Sequence, residues 1–372
     1  MWRGRWLAAV VVSVVAAGCG TSPTAAPTPS ASRATAGPTA SPGGPRGPAS
    51  VYVHYYLWWT SQHWTDKLGP AYPYTTAPIP GSIDGQGCNP TVSYSGAQIV
   101  DVPTEGLYDQ TQPATFGRHI DLANQAGLKG FLADWQGTGD PAQGVTSSGY
   151  NSRFDLLVKT VDAYDSAHGA TFGLGLAYAA FGDYARPASK LIADLRYFVS
   201  RYGSDPAFRN GYSSKPIVMW LDSRKFSPQT IQAVSRAVEP YVYLLGDETA
   251  MSWPNDGQYL DGTSYYWSTQ DPWNNSRAGS AVSDLASQVH ADGKSWFAPF
   301  IAGYNKQLMG GGCVQRKGTQ TLTKLWQLNG ATRPDGWFGI SWNEFVENTY
   351  LEPSKRYGST YLDALAALIK SS

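Results

Sequence analysis

From Val51 onward, short runs of β-branched and aromatic residues alternate with longer segments whose apolar positions recur at helical spacing. That alternation is the pattern of strand-helix units feeding a parallel sheet. The runs predict strands at 51–57, 129–135, 171–178, 216–222, 241–246, 262–267, 295–302 and 336–342. Helices are predicted at 113–126, 152–168, 187–202, 228–238, 276–291, 319–329 and 357–370, with no clear helix between the fifth and sixth strands. Pro113, Pro187 and Pro228 stand where a first-turn proline is tolerated, and Gly127, Gly169, Gly203, Gly293 and Gly330 stand just past helix ends. Eight strands and seven helices over residues 50–372 predict an α/β chain folded as one (β/α)8 TIM barrel, a fold of ~250 residues that accepts loop insertions. The Gly-, Pro- and Tyr-rich stretch 58–112 is then a loop on the face where such barrels place active sites. A doubly wound open sheet is the rival, but no Gly-rich phosphate fingerprint follows the first strand.

Ahead of the barrel, Arg3 and Arg5 precede an apolar run over residues 7–17 that ends in Gly18-Cys19, the pattern of a signal peptide over residues 1–18. The run is too short for a membrane-spanning helix. Ala16-Ala17-Gly18-Cys19 resembles the lipobox of bacterial lipoproteins, in which Cys19 becomes the acylated first residue. Ala16 stands where Leu is usual, so simple secretion with cleavage nearby is the competing reading. Residues 20–49 are almost entirely Ser, Thr, Pro, Ala and Gly, which cannot bury enough apolar surface to offset chain entropy. Residues 19–49 are therefore expected to be a flexible tether from a lipid anchor in the bacterial membrane, and the chain an extracytoplasmic monomer. Of the remaining cysteines, Cys88 and Cys313 are an exported pair that favours a disulfide, the alternative being two free buried thiols.

The 372 residues carry 28 basic and 28 acidic side chains, so no net charge would gather nucleic acid, and a neutral partner is expected. Aromatic residues make up 13% and charged ones 15%, a balance that suits stacking on sugar faces and equally suits a large core. His54, His63 and His119 do not sit at metal-ligand spacing, so neither a metal nor a cofactor is expected.

Barrel chemistry is assembled at the C-terminal ends of strands. The eighth predicted strand runs into Ser341-Trp342-Asn343-Glu344-Phe345-Val346-Glu347-Asn348-Thr349-Tyr350-Leu351-Glu352-Pro353. On a helical turn Glu344 and Glu347 would share one face, with Cβ atoms about 5–6 Å apart. Such a pair suits retaining glycoside cleavage, and neighbouring aromatics favour desolvation and an acid role. Substrate contacts are expected from Tyr55 or Tyr56, one of which faces the cleft while the other faces away, and from Trp58, Tyr266, Trp267, Tyr304 and Asn343. Asp134 and Trp135 close the second strand, where the acid either binds a hydroxyl or caps a turn, and Asn305 has a similar choice. Asp247 and Glu248 form a rival acidic pair, and Glu352 suits a structural role.

The eighth-strand segment resembles the Trp-Asn-Glu-Trp-His-Glu-Gly-Thr-x-Ile-Glu-Pro motif of glycoside hydrolase family 99, the endo-α-mannosidases and endo-α-mannanases. His54-Tyr55-Tyr56-Leu57-Trp58-Trp59 with His63-Trp64, Gly127 to Phe131 with Asp134-Trp135, and Arg201 to Phe208 with Lys215 to Val218 are similar to other stretches of that family. The resemblance spans nearly the whole mature chain. It implies endo-acting cleavage of an α-mannoside-containing oligo- or polysaccharide with retention. Glu344 would assist the sugar 2-hydroxyl, which attacks the anomeric carbon to give an anhydro-sugar, and Glu347 would be the general acid and then the base for water. Phe345, Val346 and Asn348 depart from the family's Trp, His and Gly, and the missing His removes a polar subsite contact. Two other readings remain, a non-catalytic glycan- or glycolipid-binding lipoprotein on the same barrel and a glycan transferase.

Overall fold

A computed structural model describes residues 50–74, 81–84, 86–138, 149–180, 186–209 and 212–372. The expected signal peptide, Cys19 and the tether lie outside the described residues. Eight parallel strands close into a barrel: β1 (Ser50–Tyr55), β2 (Gly130–Trp135), β3 (Gly173–Ala179), β4 (Ile217–Leu221), β5 (Tyr243–Asp247), β6 (Gly262–Ser264), β7 (Ser295–Ile301) and β8 (Gly336–Ile340). Each strand pairs with its sequence neighbours, and β1 closes the ring by pairing Tyr52 with Gly130 of β2 and Ser50 with Gly336 of β8. The predicted (β/α)8 architecture is the observed one.

The helices are α1 (Ser61–Leu68), α2 (Pro113–Gln125), α3 (Tyr150–His168), α4 (Ala188–Tyr202), α5 (Pro228–Val238), α6 (Trp253–Asp256), α7 (Ser280–Ala291), α8 (Gln320–Gly330) and α9 (Thr360–Lys370). Two of these go beyond the sequence expectation. Helix α1 lies inside the stretch expected to be loop, its start capped by Thr60, which accepts from the His63 amide at 3.3 Å. Between β5 and β6, where no helix was expected, α6 is a single turn continued by a 3-10 turn over Gly257–Tyr259.

Strand alternation decides which side chains reach the site. Tyr52, Leu132, Ala177, Met219, Leu245, Phe297 and Phe338 pack inside the barrel, whereas Val51, Val53, Tyr55, Ala133 and Trp135 pack outward against the helices. Gly130 is required at the floor, because a Cβ there would stand 1.9 Å from the Gly173 carbonyl oxygen and 2.9 Å from the Tyr52 ring. Above this apolar plug the same inward positions become polar: Tyr52 is followed by His54 and then Tyr56, Leu132 by Asp134, and Leu245 by Asp247. The barrel therefore changes from a packed core to a polar cup toward its C-terminal end.

A second apolar cluster roofs one side of that cup. Trp59, Trp64, Leu68, Tyr72, Ile99, Val102 and Tyr108 of the long β1 loop pack with Phe345, Val346 and Tyr350 after β8. The disulfide expected between Cys88 and Cys313 is present, with Cα atoms 6.0 Å apart across 225 residues of sequence.

Candidate active site

Beyond β8 the chain does not continue as the expected helical turn. Residues 345–348 form a tight turn that Asn348 leaves in the left-handed region at φ 53°, which Asn tolerates better than most residues and where the family-99 motif has Gly. The turn is held from inside: Ser341 Oγ accepts from the Glu344 amide at 2.9 Å, and Asn348 Nδ2 donates to the Asn305 carbonyl at 2.9 Å. From the β7 side, the Asn305 amide donates to the Glu347 carbonyl at 2.7 Å, and Arg316 Nη2 donates to the Asn348 carbonyl at 2.7 Å.

The two glutamates meet different surroundings. Glu344 is buried at 4% exposure, and its Oε1 accepts from the amides of Val346 at 2.8 Å and Glu347 at 3.3 Å. Burial first, and then the Glu347 charge, push its carboxyl up to about 8, against the opposing effect of those amides and Lys306. Near neutral pH Glu344 therefore holds a proton. The Glu347 side chain keeps 22% of its surface exposed and pairs with Lys306 Nζ at 3.0 Å.

Facing them is a pair of phenols. Tyr56 and Tyr266 share a 2.5 Å hydroxyl-hydroxyl hydrogen bond. Burial, followed by the Tyr266 phenol and Glu344, holds the Tyr56 phenol well above its ordinary value. Burial and then Glu347 do the same for Tyr266, so both remain donors. The Tyr56 backbone is pinned on both sides: Asn343 Oδ1 accepts its amide at 2.9 Å, while Asn343 Nδ2 and Gln110 Nε2 donate to its carbonyl at 2.9 and 2.8 Å. Asn343, expected to touch substrate, is thus a brace. Asp247 braces Tyr266 in the same way, accepting its amide at 2.9 Å while paired with Arg224 at 2.6 Å. The neighbouring Glu248 is buried beside Ser223, so the rival acidic pair is engaged within the protein.

Trp58 stacks on Tyr56 with ring centres 4.4 Å apart, and His63 stacks beyond it at 6.0 Å. Asp134 receives the Tyr150 hydroxyl at 2.6 Å, and burial pushes its carboxyl up to about 7. Tyr304 is 8% exposed, and burial followed by Glu347 raises its phenol. Among the described residues, no group bonds the buried atoms Asp134 Oδ1, His54 Nε2, Trp58 Nε1 or His63 Nε2. Each such atom costs the fold ~1–3 kcal/mol. Polar atoms left this way around two carboxylates and two phenols suit a ligand rich in hydroxyl groups.

Several expected contacts fall elsewhere. Tyr55, out of phase with Tyr56, bonds His119 Nδ1 at 2.7 Å against α2. Trp135, out of phase with Asp134, lies in the outer core with its Nε1 on Asn151 Oδ1 at 2.7 Å. Trp267 packs with Tyr265 against the helical layer. Asn305 has the turn role, donating to the Gly87 carbonyl at 2.8 Å and accepting the Gln307 amide at 2.9 Å. Val346 is turned into the apolar roof, so its departure from the family's His is a packing feature here.

His54 and Lys306 were not singled out from sequence. His54 lies two residues before Tyr56 on the same face, a readable signal. Lys306 offered only its charge in a charge-poor loop. One cluster has metal-like composition: His119 Nε2 lies 2.8 Å from Glu105 Oε1 and 3.3 Å from Glu352 Oε1. Burial lowers the affinity of His119 for its proton, but Glu352 and Glu105 outweigh it and push the imidazole up to about 9. Both ring nitrogens are then donors, and the cluster is an ion-paired brace that ties Glu352 to α2, in keeping with the structural role expected of Glu352.

No protein-family model and no curated protein matches the sequence. Solved structures match in fold. The GH99 endo-alpha-mannosidase from Bacteroides thetaiotaomicron aligns over 88% of this chain and 98% of its own, with TM-score 0.66 and 17% identity. A structure of that kind of enzyme in complex with BIS-TRIS-Propane gives 0.65 at 16% identity over 88% and 97%. A glycoside hydrolase-like protein gives 0.60 at 14% identity over the same shares. At such identities the likeness is one of fold, and the chain has the barrel fold of the family 99 endo-alpha-mannosidases along 88% of its length.

Proposed function

We propose that the chain is a retaining glycoside hydrolase that cuts α-mannoside-type linkages within an extracytoplasmic polysaccharide and is held at the membrane by lipidated Cys19. The observation that carries the reading is the single turn after β8. It presents one desolvated carboxyl, Glu344, and one open, lysine-paired carboxylate, Glu347, opposite the Tyr56 and Tyr266 hydroxyls. The reaction starts from the form in which the pair's proton rests on Glu347, and Glu344 then takes the proton of the sugar 2-hydroxyl as that oxygen bonds to the anomeric carbon and the glycosidic bond breaks. Glu347 gives a proton to the departing oxygen, and it later removes one from the water that opens the anhydro-sugar. One hydroxyl of the Tyr56–Tyr266 pair donates to the other and the second proton is free for a sugar oxygen, while Trp58 offers an apolar edge.

The resting site favours a second assignment of roles. With Glu344 carrying the proton at neutral pH, it is the ready acid and Glu347 the ready base. Aryl α-mannosides distinguish the two. Under the proposed roles Glu347→Gln keeps activity on a dinitrophenyl mannoside, whose leaving group needs no proton, and loses it on a glycan, while Glu344→Gln is inactive on both. The opposite pattern assigns the exchanged roles. If both variants hydrolyse both substrates at the wild-type rate, the assignment of Glu344 and Glu347 fails; if the wild type releases no product from either substrate, the hydrolase reading fails.

A further inference from the structure

The rim of the cup carries a cation that cleavage of a neutral sugar does not require. Lys67 stands in the last turn of α1, one turn after His63, whose ring stacks on Trp58. Trp64 and Leu68, on the adjacent face, are buried in the roof, with the Trp64 ring 5.5 Å from Phe345. The helix is thereby seated on the catalytic turn, with His63 and Lys67 on the side of the stacked aromatics. Lys67 Nζ donates to Gln98 Oε1, a neutral amide, at 3.0 Å, and no described carboxylate is in ion-pair contact with it. Asp66 beside it is exposed and receives Gln62 Nε2 at 2.8 Å on the outer side of the helix.

Burial pulls the Lys67 ammonium below its ordinary value, and Lys306 adds to that, while Glu344 and Asp66 oppose it. Both lysines therefore act on the space in front of the two glutamates. Lys306 is balanced by Glu347, and Glu344 is neutral at pH 7, which leaves Lys67 as the unbalanced charge on this wall. A partly desolvated ammonium on a neutral amide gains most from an anion, through a charge-assisted hydrogen bond.

Resting on the hydrolase reading, we propose that the glycan substrate is acidic, bearing a carboxylate, phosphate or sulfate beside the sugar that is cleaved, and that Lys67 recognises this group. The test uses matched probes. One pair is an oligosaccharide in which α-mannose carries glucuronic acid, against its carboxyl-reduced form. The others are a phosphorylated and a sulfated mannan, each against its phosphate- or sulfate-stripped form. kcat/KM is measured for the wild type, Lys67→Met and Lys67→Arg at low and high salt, and affinities are measured with wild type, Lys67→Met, Lys67→Arg and Glu344→Gln. Wild type is expected to prefer at least one acidic probe about tenfold or more, with the preference shrinking in salt. Lys67→Met removes the preference by losing the acidic probe alone, and Lys67→Arg, which preserves the charge if the methionine variant folds poorly, retains most of it. Equal handling of every matched pair, or a preference unchanged in Lys67→Met, overturns the proposal while leaving the hydrolase reading intact. Lys67-dependent binding of an acidic probe without cleavage by wild type does the reverse.

Discussion

Replacing Glu344 by Gln is expected to abolish catalysis and at the same time stabilise the fold in alkali. The carboxyl has an ordinary value of 4.5 and a folded value of about 8. Below pH 4.5 it is protonated in both folded and unfolded chains and has no effect on the balance. Between the two values the unfolded chain releases the proton and the folded one keeps it, so the fold loses ~1.4 kcal/mol for each pH unit. Above pH 8 both are ionised and the loss levels off. The interval sets an upper limit of ~5 kcal/mol, and ~3 kcal/mol is a fair expectation once the site relaxes around the charge. A neutral, isosteric Gln escapes that loss. For a domain of this size ~3–5 kcal/mol is roughly 4 to 7 °C in Tm. Calorimetric melting of both proteins from pH 4 to 9.5 should give curves that coincide at the acid end and separate through pH 5 to 8, with the variant higher. Parallel curves across the range would refute the burial of this carboxyl and the electrostatic account of the pair built on it.

Two further outcomes follow from the packing. Phenylalanine at Tyr56 or Tyr266 should cut kcat/KM by about tenfold or more with little change in melting, whereas Tyr55→Phe and Trp135→Phe should cost ~1–3 kcal/mol of stability with KM unchanged; steady-state kinetics beside denaturant titration would expose the opposite partition. Removing the disulfide with Cys88→Ser and Cys313→Ser should cost ~3–5 kcal/mol, the entropy of closing a loop of 225 residues. Activity should fall as well, because Gly87 accepts from Asn305, whose own amide holds Glu347; an unchanged denaturation midpoint and rate would contradict that role.

The barrel was readable because its strands, buried on both faces, are continuous apolar runs, and its longer helices carry proline starts and glycine ends. Side-chain parity was harder. Tyr55 and Tyr56 are chemically alike, and Asp134 and Trp135 each suit a sugar contact in a different way, so only the register of the closed sheet separates cup from outer core. Helix α1 was hidden because eight residues with two buried side chains, Trp64 and Leu68, leave almost no periodic signal within a Gly- and Tyr-rich stretch. The motif after β8 draws the eye to Glu344 and Glu347 but suggests the wrong local geometry. A spacing of three suggests a helix, but the left-handed Asn348 closes a tight turn instead, and the Glu344 carboxyl folds over the amides of Val346 and Glu347. Lys67 of α1 and Lys306 of the segment after β7 are distant in sequence, and no local pattern connects them with Glu347.

The apolar roof joins residues from near the start of the barrel to residues near its end. Phe345 packs edge-on against the stacked Trp59–Trp64 pair, with ring centres 5.7 and 5.5 Å away. The segment that shapes one wall of the polar cup is thus also the lining against which the turn after β8 sets its position. Loop grafting in this scaffold has to transplant both partners together, since a foreign first loop that leaves Phe345 without its tryptophan walls would also displace the carboxyl beside it.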